Sequence, residues 1–261
     1  GGDNLLFAYY LKFILRNLKI ILKGKILNKT QEQIENSISL HAEELIGERD
    51  IVVRAIVAKN FEEAVATLKT IGIGEEIAEA CAQYNEKKQI QALELYFDKF
   101  FYQNISHALK SHNDHSLRSL CYMEIDYYNI MSILRGKFWN LDENQLQKLL
   151  VSSGTYESKE LLTKMILADS PKSALAELQD TPYKKIIPLE DTNTISKFEE
   201  KFERRIYENI TSQFVHISSF SPVLAIVRLL DYEVRNIAAI AFAVEQRIPS
   251  QIVMERIITK D

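Results

Sequence analysis

The sequence predicts an all-α protein, and three observations carry that reading. Only eight Gly and five Pro occur among 261 residues, well below average usage of about 7% and about 5%. Apolar residues recur at 4-3-4 spacing, the period of one helix face. No run of alternating β-branched residues reads as a strand; the nearest phrase, Lys184-Lys185-Ile186-Ile187-Pro188, is short and closed by proline, so it is a connector.

The elements follow in chain order. The first long helix opens beside Gly2 and Asp3 and runs into NLKIILKGK, Asn17 to Lys25. That phrase returns as NIMSILRGK at Asn129 to Lys137 and as NIAAIAFAV at Asn236 to Val244, at steps of 112 and 107 residues. Each copy carries a stripe: Leu11, Leu15, Leu18, Leu22; then Met123, Tyr127, Ile130, Leu134; then Leu230, Val234, Ile237, Ala241. All three are expected to be buried faces of long amphipathic helices. Asp114 and Ser221 lie fifteen residues before their Asn and are read as N-caps, with Pro222 in the first turn, where its missing N–H is harmless.

Two further pairs of segments keep the period. Asn60 before Phe61–Leu68 and Ser170 before Pro171–Leu178 are N-caps at a step of 110, the former with Glu63 completing a capping box. Phe97–Ile105 matches Phe202–Ile210 at 105. A recurring period of this size marks an array of helical modules, architectures that shape surfaces. The expected division is 1–113, 114–220 and 221–261, three similar modules with the first incomplete at its N-terminus. On that phasing the first module exposes apolar surface near Leu11 to Leu22.

Composition excludes several functions. Cys81 and Cys121 give no disulfide framework. Leu5 to Leu22 is interrupted by Lys12, Arg16 and Lys19 and cannot be a membrane span. A net charge of −4 argues against general nucleic-acid binding. His107, His112, Asp114 and His115 cluster, but their spacing does not converge on a metal. Glu43, Glu44, Glu199, Glu200 and Glu203 read as solvated helix faces. No catalytic constellation, cofactor motif or phosphate loop emerges. The Gly-Lys pairs lack the other residues of such a loop and end a helix, and a helix C-terminus repels phosphate.

What remains are interface candidates. Asn17, Asn129 and Asn236 are flanked at four residues by Phe13 and Ile21, Ile125 and Ile133, Tyr232 and Ile240. Each therefore sits at the edge of a helix–helix seam, where an amide either fixes register between helices or contacts a partner. Small residues at Gly24, Gly136 and Ala243 permit close backbone approach or a left-handed cap. Lys23, Lys25, Arg135 and Lys137 complement their own helix dipoles or form a basic rim for an acidic partner.

Asn17–Lys25, Glu124-Ile-Asp126-Tyr-Tyr-Asn129 with Arg135-Gly136-Lys137, and Leu230-Asp231-Tyr232-Glu233-Val-Arg235-Asn236 with Arg247-Ile-Pro249 together carry a family likeness. In that order and spacing the chain resembles the C subunit of archaeal A-type ATP synthases, the d subunit of V-type ATPases. The resemblance implies a three-module helical funnel with pseudo-threefold symmetry. It implies a non-catalytic rotor spacer, peripheral on the cytoplasmic face of the membrane, that joins the central stalk to the proteolipid ring without a cofactor. Asp126, Arg135, Lys137, Glu233, Arg235 and the three Asn are then candidate contacts. The alternative from the repeats alone is a helical adaptor for a soluble protein partner.

Overall fold

The computed structural model describes residues 2–40, 43–44, 47–189, 192–215 and 219–259. Among them there are thirteen α-helices, three short 3-10 turns and no strand. They fall into two compact units, Gly1–Ser111 with Trp139–Val151, and His112–Phe138 with Ser152–Asp261.

In the first unit, α1 (Gly2–Ile26) lies antiparallel against α6 (Ile90–Leu109). Tyr9 meets Phe101 edge-on at 5.8 Å, and Lys19–Asp98 at 2.7 Å and Lys23–Glu94 at 2.5 Å run along the same seam. The short helices α2 (Gln31–Glu35), α3 (Arg49–Val57), α4 (Phe61–Leu68) and α5 (Gly74–Lys87) pack round this pair, and α8 (Glu143–Leu149) rests on α6. Starts are set by side chains: Thr30 with Gln33 and Asp142 with Gln145 form capping boxes, and Asn60 accepts from the Glu63 amide. Glu63 departs from the expected box, reaching one residue further back to the Lys59 N–H at 3.0 Å.

The second unit is built on α7 (His115–Phe138), which runs antiparallel to α11 (Thr194–Ser212) and also touches α9 (Lys159–Leu167), α10 (Pro171–Ala176) and α12 (Ser221–Glu245). The last helix, α13 (Ser250–Arg256), folds back on α12. Asp114 caps α7 through the Ser116 and Leu117 amides and also accepts from Ser219 and the Phe220 N–H. Ser221 is not the cap that its side chain suggests. The helix begins one residue earlier in phase, with Phe220 at the cap, because Asp114 and Ser219 hold the turn from outside it.

The ends of the long helices share one device. Asn28, Asn140 and Arg247 all adopt left-handed backbone, with φ of 54°, 57° and 55°, each eleven residues past its Asn. In α1 the Lys29 N–H bonds to Gly24 O at 2.8 Å and the Asn28 N–H to Lys25 O at 3.2 Å; in α12 Ile248 and Arg247 do the same to Ala243 at 2.8 Å and Val244 at 3.2 Å. This is a Schellman end. The small residue marks its first acceptor, not the left-handed position. Gly24 is small for a second reason: an added Cβ would lie 2.7 Å from Ile34 Cγ1 and 2.8 Å from its Cδ1.

One expectation about burial is overturned. Leu11, Leu15, Leu18 and Leu22 are enclosed, because α6 and the helices α2 to α4 cover them, while Leu6, Phe7 and Phe13 leave apolar surface exposed on the same helix. The stripe of the third long helix, expected to be buried, is open: Leu230, Val234, Ile237 and Ala241 are all exposed. The buried residues of α12 are Ser221, Leu224, Ala225, Arg228 and Tyr232, with Ala243 near its C-terminal end, and the helix packs on α7, α11 and α13.

Candidate functional site

Polar side chains buried along the long helices form the most distinctive chemistry. In α1, Asn17 donates through Nδ2 to Ser39 O at 2.6 Å and to Glu43 Oε1 at 2.8 Å. It therefore ties the helix to the segment after α2. Glu43, placed by its charged neighbours on a solvated face, is instead wholly buried. Burial raises its pKa, and the Asn17 bond opposes that rise only in part. Its second oxygen is buried without a hydrogen bond.

The middle helix holds a deeper cluster. Asn129 and Asp126 are both fully buried. Asp126 accepts from the Tyr156 and Glu157 amides at 3.1 and 3.2 Å, from the Thr155 hydroxyl, and from the Tyr183 hydroxyl at 2.6 Å. Its pKa is raised by burial against those bonds. Glu157 is pushed up to about 7, first by burial and then by the Asp126 charge. Tyr183 is also pushed up, by burial and by Asp126, and the Arg205 guanidinium lies 5.2 Å from its ring centre. No sequence signal marks the side chains of Thr155, Glu157 and Tyr183 as its neighbours, since 29 to 57 residues separate them from Asp126.

Two lysines act across helices. Lys25 donates to Ile56 O at 2.6 Å and to Ala58 O, closing the C-terminus of α3. Lys137 donates to Ile166 O at 2.5 Å and to Ala168 O, closing α9. Each cation thus stabilises the negative end of another helix, not its own. Lys23 and Arg135 pair instead with Glu94 and Glu199.

On α11, Glu199 and Glu203 also leave the solvated role expected of them. Glu199 accepts from Arg135 and, at 3.1 Å, from the Tyr127 hydroxyl. Glu203 accepts from Tyr127 at 3.4 Å and from Arg235 at 2.8 and 3.2 Å. The structure therefore brings Arg135 and Arg235 onto one acidic ridge between α7 and α12. Arg235 also stacks on Tyr232 at 5.3 Å. Beside them, Arg228 of α12 pairs with the buried Glu124 of α7 and with Asp231 at 3.2 Å.

The third Asn makes a local clasp. Asn236 Nδ2 donates to Ile258 O at 2.7 Å, and the Ile258 N–H donates to Asn236 Oδ1 at 3.1 Å. Asn236 and Asn17 thus each bind backbone 22 residues ahead. Glu233, at the α12 position matching Asp126 in the repeat, is exposed.

These contacts define a helical scaffold whose polar groups are spent on joining helix to helix. Among the described residues no group of three or more His, Cys, Asp or Glu side chains could hold a metal, and no helix is long and apolar enough to cross a membrane. The chain matches the ATP synthase (C/AC39) subunit family over residues 1–256 and belongs to that family. It is 25% identical over 247 residues to the C subunit of the A-type ATP synthase of Haloferax volcanii, a match covering 91% of this chain and 69% of that protein. Against the corresponding protein of Methanosphaera stadtmanae it is 22% identical over 238 residues, covering 87% and 60%; against that of Pyrococcus horikoshii, 28% over 219 residues, covering 78% and 57%. The chain spans about three-fifths of the length of these relatives.

Proposed function

We propose that this chain is a non-catalytic spacer in the rotor of an A/V-type ATPase. It couples the central stalk to the membrane proteolipid ring during ATP-linked proton or sodium transport. The observation that carries the reading is the family match along 1–256, joined to a chemistry devoted to rigidity. Torque transfer needs a body that does not shear. Close-packed helices supply stiffness, and the cross-helix ties of Lys25, Lys137, Asn17 and Arg228 resist sliding of one helix past another. Three helical modules set with pseudo-threefold symmetry, divided near 113 and 220, would present a funnel to the stalk. Arg135, Lys137, Glu233, Arg235 and the three Asn are its proposed seam and partner residues. Association with the membrane is peripheral, through the ring on its cytoplasmic face.

Reconstitution tests this. Purified chain is mixed with the central-stalk subunits and, separately, with detergent-solubilised proteolipid ring of an A-type ATP synthase. Co-elution with both supports the spacer; binding to neither overturns it.

A further inference from the structure

Three carboxyl groups are buried in the second unit, and one of them lacks a partner. Glu124 has the Arg228 guanidinium, and Asp126 has four donors. Glu157 is only 8% exposed, yet among the described residues neither a donor nor a cation reaches its carboxyl group. What faces it is the Asp126 carboxylate of α7, a like charge that adds to burial in holding its proton on. The other groups of the cluster give no relief. Tyr183 donates to Asp126 at 2.6 Å and stays protonated, its own pKa being raised. Arg205 of α11 lies over the Tyr183 ring at 5.2 Å, donates to Pro182 O at 2.5 Å and pairs with neither carboxylate. Tyr122 of α7 meets the Tyr156 ring edge-on at 5.4 Å, and Lys159 and Glu160, next along the chain, are exposed.

Neighbouring buried carboxyl groups do not both ionise readily; the first charge to form holds the other group's proton in place. Four donors and no acceptor surround Asp126, which leaves no room for a proton there, so the proton sits on Glu157. Glu43 offers a contrast. Its free oxygen is sealed from water, whereas the Glu157 oxygens are not, so the Glu157 proton exchanges with solvent while the fold stays intact. The backbone of the same residue fastens the segment: the Glu157 N–H donates to Asp126 at 3.2 Å and to Thr155 Oγ1 at 3.1 Å. A Glu157 carboxylate that turns out to water therefore pulls on the bonds that tie residues 155–157 to α7.

We infer that Glu157 is a pH latch on residues 152–158, the segment joining α8 to α9. Protonated, its side chain lies inside and the segment stays bonded to Asp126. Ionised, it moves to solvent, the Thr155, Tyr156 and Glu157 bonds to Asp126 break together, and Asp126 is uncovered. The closed form binds the proton more tightly than the open one, so the latch is firmest at and below pH 4.5 and loosens until the pH has passed about 7. The inference stands on this cluster and does not require the motor reading.

The test follows backbone hydrogen exchange of the intact chain by NMR from pH 5.5 to pH 8, each rate corrected for the intrinsic pH dependence of amide exchange. Protection of the Tyr156 and Glu157 amides is expected to fall by about tenfold or more. That protection is expected to be insensitive to urea below the unfolding transition, as local opening exposes little surface. In E157Q the side chain is neutral at every pH and protection is expected to stay flat, with E157M as the second neutral variant should E157Q not fold. Protection in the unmodified chain that ignores pH, a pH dependence that survives in the neutral variant, or protection that falls with urea as steeply as in α7 overturns the inference. A Glu157 carboxyl carbon whose chemical shift titrates at pH 4.5, the ordinary value, overturns it without any variant.

Discussion

At the scale of single residues, the buried amides and carboxylates carry the sharpest expectations. Replacing Asn17 by Ala leaves Glu43 buried without its donor, which costs about 1–3 kcal/mol in denaturant unfolding. The double change N17A/E43Q is expected to recover part of that loss, since an amide needs less compensation than a carboxylate. N236A removes a half-exposed clasp and is expected to cost less than N17A in the same assay. The positions of the three Asn on helix seams are legible from their apolar neighbours at four residues. Their partners are not, because Ser39, Glu43 and Ile258 lie 22 to 26 residues away and nothing in local periodicity fixes where a returning segment stops. Glu43 defeats a reading by charge for the same reason. A charge run looks solvated until tertiary structure folds one of its members inward.

At the scale of elements, helix ends are where sequence and structure agree most closely. Asn60, Ser170 and Asp114 cap as their side chains dictate, since capping is a contact within three residues. Gly24 is required by Ile34, so G24A is expected to destabilise by about 1–3 kcal/mol through overpacking. I34A should relieve the clash, and a thermal melt of G24A/I34A that gains nothing over the sum of the single losses would remove this explanation. Lys137 spans from α7 to the end of α9, a tie invisible in sequence because the acceptors are backbone carbonyls that any residues would provide. K137M is expected to cost about 1–2 kcal/mol, the worth of a charge-assisted bond at a helix C-terminus. Hydrogen exchange should show the loss concentrated in Lys159–Leu167.

At the scale of the whole molecule, pH is the broadest probe. Glu157 is raised from 4.5 to about 7, and Glu43 and Asp126 are raised as well. A carboxyl whose folded pKa lies above its unfolded value binds more protons when folded, so stability falls as pH rises through the interval between them. Asp114 and Asp142 are lowered and act oppositely, losing their contribution as pH falls below 3.8. Denaturant midpoints are therefore expected to decline from about pH 4.5 to about pH 7, and E157Q should flatten the upper part of that decline. An unchanged slope in E157Q would show that Glu157 is not the titrating group. By itself the sequence determined the helical class, the period, most caps and the family, since all of these are written in local spacing or in ordered motifs. Tertiary structure alone decided which stripes are buried. The three long helices carry equivalent apolar faces, but burial needs a second surface, and only α1 and α7 have one: α6 and α11 cover them while the same face of α12 stays open.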